Sequence, residues 1–350
     1  MRMMAADVAR AVDGALVGQN AHLDGATFDS RTLRPGQLFV PIVAERDGHD
    51  YVPDALARGA GAYLTSREPV GRTAIRVADT LAALLALGRW GRGRLYGSLR
   101  GRVVGITGSV GKTGTKDLVA AALGAGLRVH ASARSFNNDQ GLPTTILNAP
   151  DDTEVMVLEM GMRGFGEITR LCDIARPTIG VVTRVAEAHS DLVGGSEGVA
   201  KAKADLVQAL PADGVAVLNA DDARVLRMAS LTDADVVLYG ESEQAHVRAV
   251  DIELDELARA SFRLVTRWAE VPVRLGVSGR HMVSNALAAL ACTEVVGGSL
   301  YAGAEALAEA GLSAMRMEVL RTASGATVLN DSYNANPTSL RAALDALAAL

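Results

Sequence analysis

Lysine is nearly missing. Of 35 basic residues in this 350-residue chain, four are lysine, at positions 112, 116, 201 and 203, and the other 31 are arginine. Arginine is a planar fork of fixed charge, whereas lysine is a compact amine that can lose its proton and react. A chain that keeps lysine only in "GKTGTK" and "VAKAKADL" marks two places that call for an amine. Cysteine is scarce as well. Cys172 and Cys292 sit in apolar surroundings, too few for a zinc site, and read as buried thiols of a reducing compartment. His22, His49, His130, His246 and His281 lack metal-ligand spacing. Positive charge is not in excess: the net charge is −5, which excludes a nucleic-acid footprint. Long apolar runs are absent too. "TLAALLALG" is too short for a bilayer, and the opening "MRMMAADVARAVDGAL" carries Asp7 and Arg10 inside its apolar pattern, unlike a signal peptide. A cytoplasmic protein without membrane insertion is expected, and its length suggests two or three domains.

What is present begins with "GITGSVGKTGTKD", residues 105–117. The common phosphate loop reads G-x-x-x-x-G-K-[ST], and here Ile106 fills the slot of the first glycine. The flanks nevertheless fit. "RVVGIT" reads as a buried parallel strand, and "KTGTKDLVAAALGAG" as a helix that stops at glycines. A strand, a glycine turn and a helix start aim backbone N–H groups and the helix dipole at an anion. Lysine adds a point charge, and the adjoining threonine offers a magnesium ligand. The competing reading is an ordinary strand–helix turn with a solvated lysine.

Residues 1–97 read as an α+β domain, closed by the Gly/Arg-rich "GRWGRGRLYGSLRGR", which suggests a solvated linker. It has an opening helix, strands at "QLFVPIV" and "AYLTS", and a helix near 52–59. Residues 98–313 alternate strand and helix, the pattern of a mostly parallel sheet. Its strands read at "RVVGIT", "EVMVLEM", "TIGVVT", "GVAVLN" and "DVVLYG", its helices at 112–124, 196–209 and 281–291. An antiparallel meander is expected over "HVRAVDIELDELARASFRLVTRWAEVPVRLGV". Residues 314–350 supply one strand and one helix.

Ligands of open α/β sheets gather at the carboxyl ends of the strands. "SFNNDQGLP" places Asn137 and Asn138 in a polar loop, and "VLEMGMRGFGEI" puts Glu159 at a strand end. "VTRVAEAHSD" sets His189 beyond another strand, and "VAKAKADL" sets Lys203 on the next helix. Each has a plainer alternative: Glu159 as a helix-capping acid, His189 as an exposed loop histidine, the asparagines as turn residues. Together with a phosphate loop they fit a magnesium-nucleotide site.

These stretches, with "GRHMVSNALAAL" and "NDSYNANP", occur in the order seen in the Mur ligases, which the chain resembles over essentially its whole length. That family's loop is T-G-[ST]-x-G-K-[ST], so the short spacing is its own pattern. "EMG" with "GEI" and "AH", in place of D-H-L-D-Y-H-G, favours the branch that joins D-Ala-D-Ala to UDP-N-acetylmuramoyl-tripeptide. The resemblance implies a uridine-nucleotide-binding N-terminal domain, a central phosphate-loop ATPase domain and the start of a Rossmann-like C-terminal domain. It implies ATP and Mg2+, and an acyl-phosphate route to an amide in peptidoglycan precursor synthesis. Thr107, Gly108, Ser109, Val110, Gly111, Lys112 and Thr113 would then hold phosphates, with Asn285, Arg316 and Asp331 on the nucleotide. Thr113, Glu159, His189 and Lys203 would serve metal, Lys203 as its carbamate. Ser30, Arg31, Asn137 and Asn138 would meet the UDP-linked substrate. A monomer is expected.

The chain departs from the family in three places. Thr183-Arg184 stands where relatives usually have asparagine, and Met282 replaces the asparagine of G-R-H-N. Only the opening strand and helix of the third domain are read, so the chain is expected to bind the UDP-linked peptide but to turn over poorly by itself. An amide ligase of specialised metabolism and a non-catalytic nucleotide-binding module are the other readings.

Overall fold

The computed structural model describes residues 1–71, 73–133, 135–186 and 193–350. They fall into two compact units. One comprises residues 1–100 with 136–153 and 173–175; the other comprises 101–135, 154–172 and 176–350. No helix among the described residues is long and apolar enough to cross a membrane.

The first unit carries strands β1 (Arg2–Met4), β2 (Ala15–Val17), β3 (His22–Asp24), β4 (Ala26–Thr27), β5 (Leu38–Phe39), β6 (Ala62–Thr65) and β7 (Ala74–Arg76). β1 and β3 form an antiparallel ribbon, and the others a five-stranded sheet ordered β2-β7-β6-β5-β4. β4 to β7 run parallel, with β2 antiparallel at the edge. Phe39, Val52, Ala55 and Tyr63 pack in a core on this sheet. The strand expected over "QLFVPIV" is only two residues long, because Pro41 has no N–H to continue the ladder.

The Gly/Arg-rich stretch is not a linker. It forms the end of a helix, Thr80–Arg94, and a further turn, Tyr96–Leu99. Its glycines permit close helix contact. A Cβ on Gly88 would lie 2.7 Å from the Pro143 side chain and 2.8 Å from that of Ile174. Arg92 is buried and donates from Nε to the Ala175 carbonyl at 2.8 Å. This contact draws residues 136–153 and 173–175 into the same unit as the N-terminal hundred, so the compact units cross the segments expected from sequence. Gly88→Ala should therefore cost about 1–3 kcal/mol through overpacking. Gly93→Ala, where a Cβ meets nothing within 4 Å, should be neutral or stabilising. Urea midpoints of the two variants check the difference.

The second unit is built on a nine-stranded sheet. Its strands are β8 (Val103–Thr107), β9 (Val129–Ala131), β10 (Val155–Glu159), β11 (Ile179–Val182), β12 (Val215–Asn219), β13 (Asp235–Gly240), β14 (Val247–Leu254), β15 (Arg259–Val265) and β16 (Glu270–Ser278). Their order is β16-β15-β14-β13-β12-β11-β8-β10-β9. The strands from β9 to β14 run parallel, and the expected antiparallel meander, β14-β15-β16, extends this sheet. Both cysteines are buried thiols outside any disulfide, as expected, and burial pushes Cys292 up to about 12. Past residue 314 the chain forms a hairpin of β17 (Glu318–Arg321) and β18 (Thr327–Asn330), then the helix Pro337–Ala349. One strand was expected there. The partner "EVLR" is short and mostly exposed, so its pattern carries little signal.

Candidate active site

β8 has a parallel partner on each side, β10 and β11. The chain runs from β8 outward to β9, returns to β10, then crosses to β11. The carboxyl end of β8 is thus a topological switch point, where α/β sheets hold ligands. The loop 108–111 leaves β8 there and turns into the helix Lys112–Gly124. Gly108 (φ +152°) and Gly111 (φ +83°) take backbone conformations that favour glycine. A Cβ on Gly108 would also collide with the Thr183 hydroxyl.

Thr183 braces the loop. Its hydroxyl donates to the Val110 carbonyl at 2.6 Å, and the Ser109 N–H donates to the Arg184 carbonyl at 2.7 Å. Asn219, at the end of β12, donates to the Thr183 carbonyl at 2.8 Å. The departure at 183–184 is thus a hydroxyl fitted to the loop backbone. Lys112 Nζ donates to the Gly108 carbonyl at 2.8 Å, so it folds over the loop whose amides would face a phosphate. Enclosure pulls its pKa down, while Glu159 acts in the opposite direction.

The Thr113 hydroxyl donates to Glu159 Oε2 at 2.9 Å, and both residues are buried. Ser135 Oγ lies 3.3 Å from the same hydroxyl. Thr107, fully buried, donates to the Met160 carbonyl at 2.9 Å and so fixes the strand end that carries Glu159. Arg316 arrives from the hairpin segment. One of its terminal nitrogens is 3.5 Å from Thr113 Oγ1, and its guanidinium stacks 4.4 Å from the centre of the Tyr333 ring. Its Nε is buried without a hydrogen-bond partner. A buried orphan donor beside a phosphate loop fits an anion. Asn285 is buried on the helix Met282–Val295 and packs against the loop: a Cβ on Gly111 would sit 2.9 Å from its Oδ1. Its amide donates to the Met282 sulfur at 3.3 Å. Asp331 does not reach the loop. It accepts the Met317 N–H at 3.2 Å, and burial raises its pKa.

Lys203 is buried on the helix Gly195–Gln208. Burial first, and Lys112 second, hold its pKa well below the ordinary lysine range. Among the described residues nothing pairs with its amine. A buried amine whose pKa is lowered is pushed toward its neutral, nucleophilic form, which suits the chemistry a carbamate requires. His189 lies outside the described residues. Among those described, no group of three or more His, Cys, Asp or Glu converges as a metal cage. One carboxylate and one hydroxyl beside a phosphate loop nonetheless suit Mg2+, which takes few protein ligands and completes its shell with phosphate oxygens and water.

The remaining candidates belong to the first unit. Ser30 is buried in a 3-10 turn, Ser30–Thr32, and its hydroxyl helps hold Asp54 below the usual carboxylate range. Arg31 is exposed and pairs with Asp29 through Nε and a terminal nitrogen, each at 2.8 Å. Asn138 accepts the Gly141 N–H at 2.9 Å and so starts the helix Gly141–Leu147. Asn137 adjoins Phe136, whose ring packs 5.5 Å from that of Phe28.

Residues 106–293 match the Mur ligase middle domain, and residues 315–350 match the Mur ligase glutamate ligase domain. The chain belongs to the Mur ligase family. Among curated Mur ligases, the UDP-N-acetylmuramoyl-tripeptide–D-alanyl-D-alanine ligase of Mycobacterium tuberculosis is 42% identical over 345 residues, covering 92% of this chain and 67% of the relative. The enzyme of that name from Bacillus subtilis is 35% identical, covering 97% of this chain and 74% of the relative. The crystal structure of MurF from Acinetobacter baumannii superposes with a TM-score of 0.89 at 28% identity, over 100% of this chain and 77% of that one. MurF from Thermotoga maritima, solved with ADP, gives 0.77 at 27% identity, over 93% and 74%.

Sequence reading missed Thr183 as a brace, Ser135 beside Thr113, and Tyr333 beneath Arg316. Tyr333 lies within "NDSYNANP", so its proximity to Asp331 was the available signal. For Lys203 the pH dependence has a definite sign. Its depressed pKa means that the folded chain binds fewer protons than the unfolded chain between that lowered value and the usual lysine range. Stability should rise with pH across this window. Lys203→Met should flatten the slope and raise the melting temperature at neutral pH, read by thermal melts in carbonate-free buffer.

Proposed function

We propose that this chain is an ATP-dependent carboxylate–amine ligase that adds D-Ala-D-Ala to UDP-N-acetylmuramoyl-tripeptide in peptidoglycan precursor synthesis. The observation that carries this is the buried Thr113–Glu159 pair under the Lys112 loop, in a chain whose relatives bear that name. We assign residues 1–97 to the UDP-linked substrate, 98–313 to ATP, and 314–350 to the start of the ligase C-terminal domain. The protein acts as a cytoplasmic monomer.

A carboxylate and an ammonium do not condense in water without activation. The terminal carboxylate of the tripeptide attacks the γ-phosphorus of ATP, ADP leaves, and an acyl phosphate forms. The neutral amine of the dipeptide then adds to the acyl carbon, loses a proton, and expels phosphate. Most of such catalysis is positioning and charge neutralisation. Lys112 trades its contact with the Gly108 carbonyl for phosphate oxygens. The loop 107–113 offers amides other than that of Ser109, which bonds the Arg184 carbonyl, and Arg316 presents its unpartnered Nε. Thr113 and Glu159 would hold one Mg2+, with His189 and carbamylated Lys203 at a second; bound there, the metal neutralises phosphate charge. Asn285 and Asp331 serve the nucleotide side, and Ser30, Arg31, Asn137 and Asn138 the UDP-linked substrate.

Phosphate release that requires ATP, the UDP-tripeptide and D-Ala-D-Ala together would support the reading. Release with another amine or carboxylate, and none with these, would overturn the substrate assignment. Lys112→Ala should weaken ADP binding at least about tenfold, the scale of one charge-assisted hydrogen bond, with the melting temperature kept. Calorimetric titration with ADP checks this.

A further inference from the structure

The proposed mechanism leaves one buried lysine without a task. Lys116 lies one helical turn beyond Lys112, buried on the phosphate-loop helix. Its amine donates to the Ser132 carbonyl at 2.9 Å and to Ser313 Oγ at 3.4 Å, and lies 2.7 Å from Asp117 Oδ1. Asp117 grips the same serine from the other side. Its Oδ2 accepts the Ser313 N–H at 2.8 Å, and its Oδ1 accepts the Ser313 hydroxyl at 3.2 Å. An ammonium has three donors in three directions, and the acceptors around it among the described residues include the Ser132 carbonyl, Ser313 Oγ and Asp117 Oδ1. A planar guanidinium does not match that arrangement.

Ser313 begins the segment that delivers Arg316 to Thr113. Beneath it runs a cleft of about 280 Å³, lined by Ser278, Leu312, Ser313, Arg316 and Met317 among others. On either side of Arg316, Met315 (φ +61°) and Met317 (φ +48°) take the left-handed conformation that residues with a side chain seldom adopt. Such conformations persist only where neighbouring contacts over-determine them. The contacts that do so include the Lys116–Asp117 grip on Ser313, the Asp331 carboxylate on the Met317 N–H, the Tyr333 N–H on the Met315 carbonyl at 3.3 Å and the Arg316 stack on Tyr333. The Ser132 end of the grip also touches the site, because Ser132 Oγ accepts the Glu159 N–H at 3.2 Å.

We propose that Lys116 and Asp117 are positioning residues that latch Ser313 to the phosphate-loop helix and thereby set Arg316 against Thr113. The effect on nucleotide binding rests on the ligase reading above; the latch itself does not. Phosphate-loop geometry and the placement of Arg316 are then coupled through a single turn of helix, without a direct bond between Lys116 and any substrate.

The test has two arms, run on the whole chain. In the nucleotide-free protein, Lys116→Met and Ser313→Ala should each speed amide exchange over residues 313–317 by about tenfold, the factor one charge-assisted hydrogen bond carries, with β8 and β10 unchanged. In the second arm, ADP affinity is measured in a double-mutant cycle of Lys116→Met with Arg316→Ala. Each single change should weaken ADP binding, and the double should be no worse than Arg316→Ala alone. A merely structural lysine would give additive losses. Unchanged exchange at 313–317, or additive losses in the cycle, would overturn the latch. If the unaltered chain binds no ADP, the functional reading fails, and the exchange arm still decides the latch.

Discussion

A strand with parallel neighbours on both sides can release its chain only at its ends. β8 is that strand, and the site depends on how the chain leaves it. The exit must turn at once into a helix, clear the end of β11, and hold its backbone in one shape. Glycine at 108 and 111 meets the first two conditions, because a side chain at 108 would collide with Thr183 and both backbones are at positive φ. Thr183 and Arg184 meet the third by tying down the carbonyl of Val110 and the N–H of Ser109. Glu159 and Thr113 then meet because β10 pairs with β8 in a register that sets Glu159 opposite Ile106. The site is thus a consequence of sheet order as much as of residue choice.

The four lysines divide along physical lines. Lys112 and Lys203 are an enclosed pair whose charges oppose each other, and burial lowers both. Lys116 is buried among acceptors, and Lys201 lies at the surface, 6.0 Å from the centre of the Phe165 ring. An arginine-rich chain retains amines where the space is small or the proton must leave, and one of the four meets neither condition. That one is Lys201.

The phosphate loop, its strand and its helix were legible from short-range pattern, since β-branched burial, glycine and a helix start all fall within about twenty residues. The loop helix begins at Lys112 and ends at Gly124, where periodicity placed it. The Gly/Arg stretch was not legible. Its glycines read as breaks, and only Pro143 and Ile174, far along the chain, explain why a helix there needs them. Thr183 was noticed as a departure, but its function as a brace depends on strand register, which no local pattern encodes. Asn138 carries both signals at once: a polar loop residue by composition, and a helix-starting residue by its bond to the Gly141 N–H.

The first unit closes with residues that come late. Its N-terminal hundred residues pack against 136–153 and 173–175, and the helix Thr80–Arg94 rests its glycine face on Pro143 and Ile174. During synthesis those partners trail the helix by tens of residues, a wait of seconds at roughly 5–20 residues per second. Throughout that interval the glycine face and Arg92 stand without their native cover. The same segments 101–135 and 154–172 that belong to the second unit must leave the ribosome in between. Neither unit can therefore finish before the other has begun, and a nascent chain halted between residues 100 and 136 holds a half-built unit rather than a finished domain.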